Sequence, residues 1–167
     1  MQNKERIVHN GLKVHNWKFH RNDGFRTMKG IEKARKVWQQ NSNNANGYFH
    51  GGYAIDDSEE VVIKVLLHNK AIEHVGRGLI ELVYGFKPYE NSLSHIYNLC
   101  CSFWYFPNDI FPRTTEEDKL VFREFVHLVE NVHDKGLSYI DWGEAYRYEK
   151  RCERFINQCN MIANEMF

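Results

Sequence analysis

The C-terminal part of the chain carries two amphipathic segments, and each begins with a helix-capping motif. Thr114-x-x-Glu117 and Asp141-x-x-Glu144 are capping boxes, in which side chains satisfy the free amides of a helix start. Apolar residues follow at helical spacing: Val121, Phe125, Leu128 and Val132, then Ala145, Tyr148, Cys152, Phe155, Cys159, Ile162 and Met166. Gly136 is a stop signal between them, and the short connection predicts an antiparallel helix hairpin.

The N-terminal part predicts a small β element. Residues 6–9 and 12–19 flank Asn10-Gly11, a dipeptide typical of a two-residue hairpin turn. Thr27 is a candidate cap for a helix over 28–40. We therefore expect one α+β domain over 1–167, mainly α, with a small N-terminal β hairpin before a helical domain that ends in the helix hairpin.

The middle of the chain is less regular. Residues 41–47 are loop-like in composition, and 48–56 read as extended with a turn at the double glycine. Residues 61–86 fit either two helices meeting near Gly76 and Gly78 or a pair of strands, because helical spacing and β-branched residues occur together. Asn91 or Ser92 can cap a further helix over 94–105.

Composition excludes several classes of protein. The 167 residues suit one domain, and no run approaches the roughly 18 apolar residues that a membrane span needs. The first residues lack the apolar centre of a signal peptide, so we expect a cytoplasmic protein that avoids membranes. Its four cysteines form no Cys-x-x-Cys pair and are expected to be reduced, buried thiols.

The charge is unevenly distributed. Residues 1–40 hold ten Lys/Arg against three Asp/Glu, whereas 41–167 hold twelve against nineteen, so a +7 segment precedes a −7 body. Cations interleaved with aromatic rings are typical of a surface for single-stranded nucleic acid. The alternative is that the basic segment (1–40) docks on the acidic, mainly helical body (48–167). The predicted binding residues of this segment are Lys13, Trp17, Lys18, Phe19, Arg21, Arg26, Lys29, Lys33, Arg35 and Lys36.

A second basic feature lies on the last predicted helix. Its cations follow helical spacing opposite the cysteine stripe and form a ridge that suits phosphates or a partner's carboxylates. The alternative is a solvated face, since glutamates are interspersed. The ridge residues are Arg147, Lys150, Arg151 and Arg154.

Signatures of catalysis and metal binding are weak. Glu124-x-x-His127 and Glu130-x-x-His133 share one predicted helix without a second helix to complete a site, so we expect no metal and no cofactor. Asn44, Gly47 and His50-Gly51-Gly52 resemble a short stretch of small hotdog-fold thioesterases. That family implies a long helix followed by several strands, which the C-terminal helices do not provide. His50 remains the centre of an alternative in which the chain is an enzyme.

The function expected from these features is non-enzymatic binding through protein–protein contacts. A high aromatic share, 14%, favours interfaces. Asparagine is the commonest residue, with 16 copies, which indicates an AT-rich genome of the kind that viruses and mobile elements carry. A viral or mobile-element inhibitor or modulator of a host nucleic-acid-processing or defence complex fits this pattern. Nucleic-acid binding through the N-terminal segment is the alternative, and the oligomeric state stays open.

Overall fold

A computed structural model describes residues 6–9, 12–15, 28–56, 60–102, 106–131 and 140–166, with side chains from residue 32 onward except at 128, 130 and 131. Two short strands, β1 (Arg6–His9) and β2 (Leu12–His15), pair antiparallel. Within these ranges five helices follow: α1 (Met28–Tyr53), α2 (Val61–Tyr84), α3 (Leu93–Cys100), α4 (Glu116–Asn131) and α5 (Trp142–Met166). None of the helices described is long and apolar enough to cross a bilayer.

Helices α1 and α2 form the most extensively packed helix pair, and they run antiparallel. The end of α1 meets the start of α2 where Gly52 faces His68, and the two helices also meet where Tyr48 stacks on His74 at a ring distance of 5.3 Å. Further along, Asn41 of α1 lies against Gly78 of α2. These pairs place residues in opposite order on the two helices, and a short connection joins them.

Helix α5 packs against both α1 and α2, and it runs parallel to α2. The Tyr148 hydroxyl donates to Asn69 Oδ1 at 3.0 Å, and the Cys152 thiol donates to the His68 carbonyl at 3.2 Å. The Ser42 hydroxyl donates to Asn160 Oδ1 at 3.2 Å, which ties α1 to the far end of α5. The three long helices therefore form the framework, and α2, which lies between its two neighbours, has most of its residues buried.

A cluster of aromatic rings closes the other side of the core. Tyr97 of α3 is fully buried, and its hydroxyl accepts from the Phe111 amide at 3.0 Å and donates to the Phe111 carbonyl at 3.2 Å. Phe111 lies 5.5 Å from Phe122 of α4 and 6.1 Å from Tyr148 of α5, measured between ring centroids. The loop before α4 is thereby fixed to three helices through one side-chain and backbone pair.

The predicted fold class, α+β with an N-terminal β hairpin, is wrong. From residue 28 on, the described part of the chain is all helical and contains no strand. β1 and β2 pair with each other, and within the described residues no further strand joins them. The turn at Asn10-Gly11 and the Thr27 cap lie outside the described residues. The fold of the described body is all-α.

The loop predicted at 41–47 and the extended segment at 48–56 are also corrected. Both lie almost wholly within α1, which continues to Tyr53. The fully buried Ala45 packs into the core, and the Asn41 amide donates to the Val37 carbonyl at 3.0 Å. Tertiary packing of this face against α2 therefore overrides the poor helix propensity of this stretch.

Residues 61–84 form one helix and not a strand pair. The glycines that made this segment ambiguous are sites of close helix packing, since a Cβ at Gly76 would meet Ile96 and Phe155, and one at Gly78 would meet Asn41. The helix ends at Gly85, whose φ of 76° is left-handed and whose amide donates to the Glu81 carbonyl at 2.9 Å.

The last two helices, predicted to form an antiparallel hairpin, are not the closely packed helix pair of this fold. Helices α4 and α5 touch through Phe125 and Tyr148, with ring centroids 5.1 Å apart, but the closely packed antiparallel pair is α1 and α2. Helix α4 packs chiefly through its aromatic face on the loop and on α3, because these elements share the Tyr97 cluster. Gly136 lies outside the described residues.

Candidate binding surface

An ion pair lies buried where the end of α1, the start of α2 and the start of α5 meet. Lys64 Nζ of α2 is 2.6 Å from Glu149 Oε2 of α5, and the two residues are 5% and 3% exposed. The Lys64 ammonium also donates to the Ile55 carbonyl at 3.2 Å. A buried pair needs such additional hydrogen bonds, because desolvation of the two charges offsets much of their attraction.

His68 lies one turn further along α2 and is fully buried beneath the same pair. Its Nε2 is 4.0 Å from Glu149 Oε2, and neither ring nitrogen has a hydrogen-bond partner. Burial lowers the pKa of His68 from 6.5 to about 4, which outweighs the opposing effect of the Glu149 charge. The imidazole is therefore neutral at physiological pH, and it packs against the Phe49 ring at 5.2 Å.

Aromatic rings cover the ion pair on its solvent side. Lys64 Nζ lies 5.8 Å from the ring centroid of Tyr53 and 5.2 Å from that of Trp142, so its charge is attracted to both ring faces. Tyr146 lies one turn after Trp142 on α5 and faces the same way. We call Tyr53, Trp142 and Tyr146 the aromatic surface cluster.

The cluster leaves a large apolar area in water. Tyr53, Trp142 and Tyr146 are 62%, 39% and 53% exposed. Because each such side chain presents roughly 200 Å² of surface, the three together expose on the order of 300 Å². A contiguous patch of this size on a small protein is often an interaction site.

Comparison with known proteins adds no assignment. No protein-family model, no curated protein and no solved structure matches this chain. A proposal for the function therefore rests on the chemistry of the described side chains alone.

Most of the predicted N-terminal binding residues cannot be placed. The side chains of Lys13, Trp17, Lys18, Phe19, Arg21, Arg26 and Lys29 lie outside the described residues. Lys33, Arg35 and Lys36 are exposed on the first turns of α1, so the cationic character of this segment continues onto a helix surface. The structure does not bring these three residues together with the aromatic surface cluster, since they lie at opposite ends of α1.

The predicted basic ridge on α5 is partly used within the fold. Arg151 donates to the Ile110 carbonyl at 3.2 Å and lies 5.6 Å from the Phe111 ring centroid, so it fastens the loop before α4. Arg154 pairs with Asp109 at 3.0 Å, and Lys150 pairs with Glu153 at 3.1 Å. Arg147 is exposed on α5.

The cysteines are buried, as predicted. Cys100, Cys101, Cys152 and Cys159 are free thiols in the core, and none faces a solvent-filled cleft. Burial raises the pKa of the Cys152 thiol well above its usual range, and it raises the pKa of Cys101 to about 12. Neither thiol forms the thiolate that nucleophilic chemistry requires.

The turn that singled out His50 is absent, because Gly51 and Gly52 are helical residues of α1. His50 is an exposed residue near the end of that helix. The nine residues that resemble hotdog-fold thioesterases likewise form a single helical stretch. Among the described residues, no three metal-ligating side chains come together; Glu124 and His127 are exposed, and the side chains of Glu130 and His133 lie outside that part.

Sequence reasoning missed the aromatic surface cluster and the ion pair beneath it. His68 shares helical spacing with the apolar residues of α2, but Lys64 interrupts a hydrophobic run, and nothing near it in the sequence indicates its partner 85 positions away. The one signal that pointed there was the position of Trp142 directly after the helix-capping Asp141, since a tryptophan in the first turn of a helix lies at its edge.

Proposed function

We infer that the chain is a non-enzymatic protein-binding protein that engages its partner through the aromatic surface cluster. The observation that carries this proposal is the exposure of Tyr53, Trp142 and Tyr146 beside a buried ion pair, whose Lys64 ammonium contacts the Tyr53 and Trp142 rings. Tyrosine and tryptophan are the residues that most often dominate the binding energy of protein interfaces. Their rings supply large contact areas and lose little conformational freedom on binding.

The buried ion pair supports this role by fixing the rings. Lys64 lies between the α1 side, which carries Tyr53, and the α5 side, which carries Trp142, and it holds both through cation–π contacts. Rigid anchors gain affinity because less entropy is lost when they are immobilised. Lys150, whose Nζ lies 5.5 Å from the Tyr146 ring centroid, would form part of the polar rim of such an interface.

The proposed partner belongs to a host complex that processes nucleic acid or acts in defence, and the chain would modulate it in the cytoplasm. The support is compositional: an asparagine-rich chain of 167 residues that suits an AT-rich viral or mobile element. Partner identity then follows from affinity capture in the native host and mass spectrometry.

The test is a differential capture with matched variants. Tyr53→Ser/Tyr146→Ser removes two exposed rings of the cluster, and Phe86→Ser/Tyr89→Ser removes two exposed rings elsewhere. We expect the first variant to lose a specific partner by about 30-fold or more in affinity, and the second to retain it. Equal melting temperatures of the three proteins are the control for folding.

Two outcomes would contradict the proposal. One is equal capture of every partner by both variants, which would place the interface elsewhere. The other is a concentration-dependent dimer of the isolated protein that dissociates in Tyr53→Ser/Tyr146→Ser, because the cluster would then serve self-association.

Nucleic-acid binding is the second candidate function. The observation that favours it is the exposure of Lys33 and Lys36 on α1, because both belong to the +7 segment. This function predicts an affinity for single-stranded oligonucleotide that falls steeply with salt and weakens in Lys33→Gln/Lys36→Gln. Absence of binding at low salt would remove it.

A further inference from the structure

An open cleft of about 320 Å³ lies at the start of α4, away from the aromatic surface cluster. Arg113 from the preceding loop and four residues of α4 line it: Glu116, Lys119, Phe122 and Arg123. Glu116, Lys119 and Arg123 follow i, i+3, i+7 spacing, which places them on one helix face. The volume is at the lower end of the range for small-molecule sites.

The charge of the lining favours a dianion. Three cations and one carboxylate give the cleft a net charge of +2, although the whole chain is neutral. A phosphomonoester carries between −1.5 and −2 at neutral pH, whereas a carboxylate or a phosphodiester carries −1. The monoester is the common biological group whose charge matches the lining.

Arg113 is held in place before any ligand arrives. Its Nη1 donates to Asn98 Oδ1 at 2.5 Å, and the guanidinium lies 5.0 Å from the Tyr97 ring centroid and 5.4 Å from that of Phe122. A guanidinium has five N–H donors, so others remain for an anion beside the one that Asn98 accepts. Planar, preorganised arginine is the side chain best suited to phosphate oxygens.

The attraction does not come from free amides at the helix start. The Thr115 hydroxyl accepts from the Asp118 amide at 3.0 Å, and Asp118 Oδ2 accepts from the Thr115 amide at 3.1 Å. This reciprocal capping box occupies the Thr115 and Asp118 amides, and its hydrogen bonds lower the pKa of Asp118. The side-chain cations of the cleft must therefore provide the binding.

Glu116 is the internal competitor of an incoming anion. Its Oε1 pairs with Lys119 Nζ at 2.6 Å, but both side chains are exposed. Exposed pairs of this kind are weak, so a phosphate with three acceptor oxygens can displace the carboxylate.

We propose that this cleft binds the phosphate group of a small phosphomonoester, with Arg113, Lys119 and Arg123 as its ligands and Phe122 as its apolar wall. The site is independent of the protein-binding surface. Substitutions on this one helix should change the affinity for the anion in opposite directions, because Glu116 repels the anion that Lys119 and Arg123 attract.

The test is titration of the full chain with methyl phosphate, monitored by calorimetry and by the NMR chemical shifts of the backbone amides in 113–123. We expect saturable one-to-one binding that weakens about tenfold in Arg123→Gln and tightens about twofold in Glu116→Gln. Lys87→Gln removes an exposed lysine that pairs with Glu81 elsewhere, and it should leave binding unchanged. Dimethyl phosphate, a monoanion of similar size, should bind several-fold more weakly.

Three results would overturn the proposal. The first is binding that does not saturate, and the second is binding that Arg123→Gln and Lys87→Gln reduce equally. The third is a dT20 oligonucleotide that binds through Arg123 while methyl phosphate does not, because the cleft would then be part of a nucleic-acid surface. Arg123 and Glu116 are both exposed, so their variants leave the core intact.

Discussion

At the scale of single residues, the central feature is a charge placed where water cannot reach it. Lys64 and Glu149 are nearly inaccessible, and His68 is completely so, yet all three belong to a helix junction next to the surface. A buried pair contributes little net stability compared with apolar side chains of equal volume. The same Lys64 ammonium contacts two rings at the surface, Tyr53 and Trp142.

Removal of one partner of this pair should be strongly destabilising. Glu149→Gln leaves the Lys64 ammonium buried without its counter-charge, so we expect the free energy of unfolding to fall by about 3 kcal/mol. The double variant Lys64→Met/Glu149→Leu should lose much less than the sum of its single variants. Chemical denaturation of the wild type, of Glu149→Gln, of the single variants Lys64→Met and Glu149→Leu, and of the double variant measures both quantities.

The control for this cycle lies on the same helix. Lys150 and Glu153 form an exposed pair at 3.1 Å, and Glu153→Gln should leave the denaturation midpoint nearly unchanged. Additive losses in the Lys64 and Glu149 cycle would show that the two charges are not coupled, which would contradict the buried ion pair.

His68 should make the stability of the protein depend on pH. The folded protein keeps the imidazole neutral down to about pH 4, whereas the unfolded chain protonates it near 6.5. The unfolded state binds more protons between these values, so the free energy of unfolding should fall by about 3 kcal/mol as the pH drops through this window.

The variant His68→Leu isolates this effect. The burial of His74 lowers its pKa as well and acts in the same direction, so the quantity to measure is the difference between wild type and variant. Denaturation series from pH 7 to pH 4 should show a shallower slope for His68→Leu. Parallel slopes would contradict the burial of a neutral His68.

At the scale of elements, glycines on helices mark the closest helix contacts. A Cβ at Gly52 would lie 2.7 Å from the His68 ring and 3.1 Å from the Lys64 carbonyl oxygen, which is backbone and cannot move away cheaply. The end of α1 can therefore approach α2 this closely only with glycine at this position. A Cβ at Gly47, on the same helix, meets nothing within 4 Å.

Alanine substitutions at these two glycines should change stability in opposite directions. Gly52→Ala should destabilise by about 1–3 kcal/mol, because overpacking outweighs better helix propensity. Gly47→Ala should stabilise by about 0.5–1 kcal/mol, since only propensity changes. Thermal unfolding of both variants is the measurement, and stabilisation by Gly52→Ala would show that α1 and α2 are further apart at this point.

The sequence predicted local features of the helices better than their partners. The Ser92 cap is confirmed by its bond from the His95 amide, and Asp141 accepts from the Gly143 amide at the start of α5. The box before α4 is shifted by one residue, to Thr115 and Asp118, because two threonines in succession offer alternative caps. Local hydrogen bonds can be predicted because they join residues that are close in the sequence. The extent of α1 cannot be predicted in this way, because it depends on packing against α2.

At the scale of the whole molecule, the described body is an all-helical scaffold that carries two separate surfaces. The aromatic surface cluster lies where α1, α2 and α5 meet, and the basic cleft lies at the start of α4. Neither was visible in the sequence, because each depends on residues that are distant in the chain or on a loop fixed by Tyr97. Of the cationic residues predicted as a ridge on α5, Arg151 and Arg154 contact that loop.

The measurement that tests the proposed function most directly is site-specific photo-crosslinking in the native host. A p-benzoylphenylalanine placed at Tyr146 lies in the aromatic surface cluster, and one placed at Tyr89 lies at a more exposed ring elsewhere. We predict one dominant crosslinked protein from position 146 that is absent from position 89 and is lost when Tyr53→Ser is added. The same crosslinks from both positions, or none from position 146, would contradict a binding role for this surface.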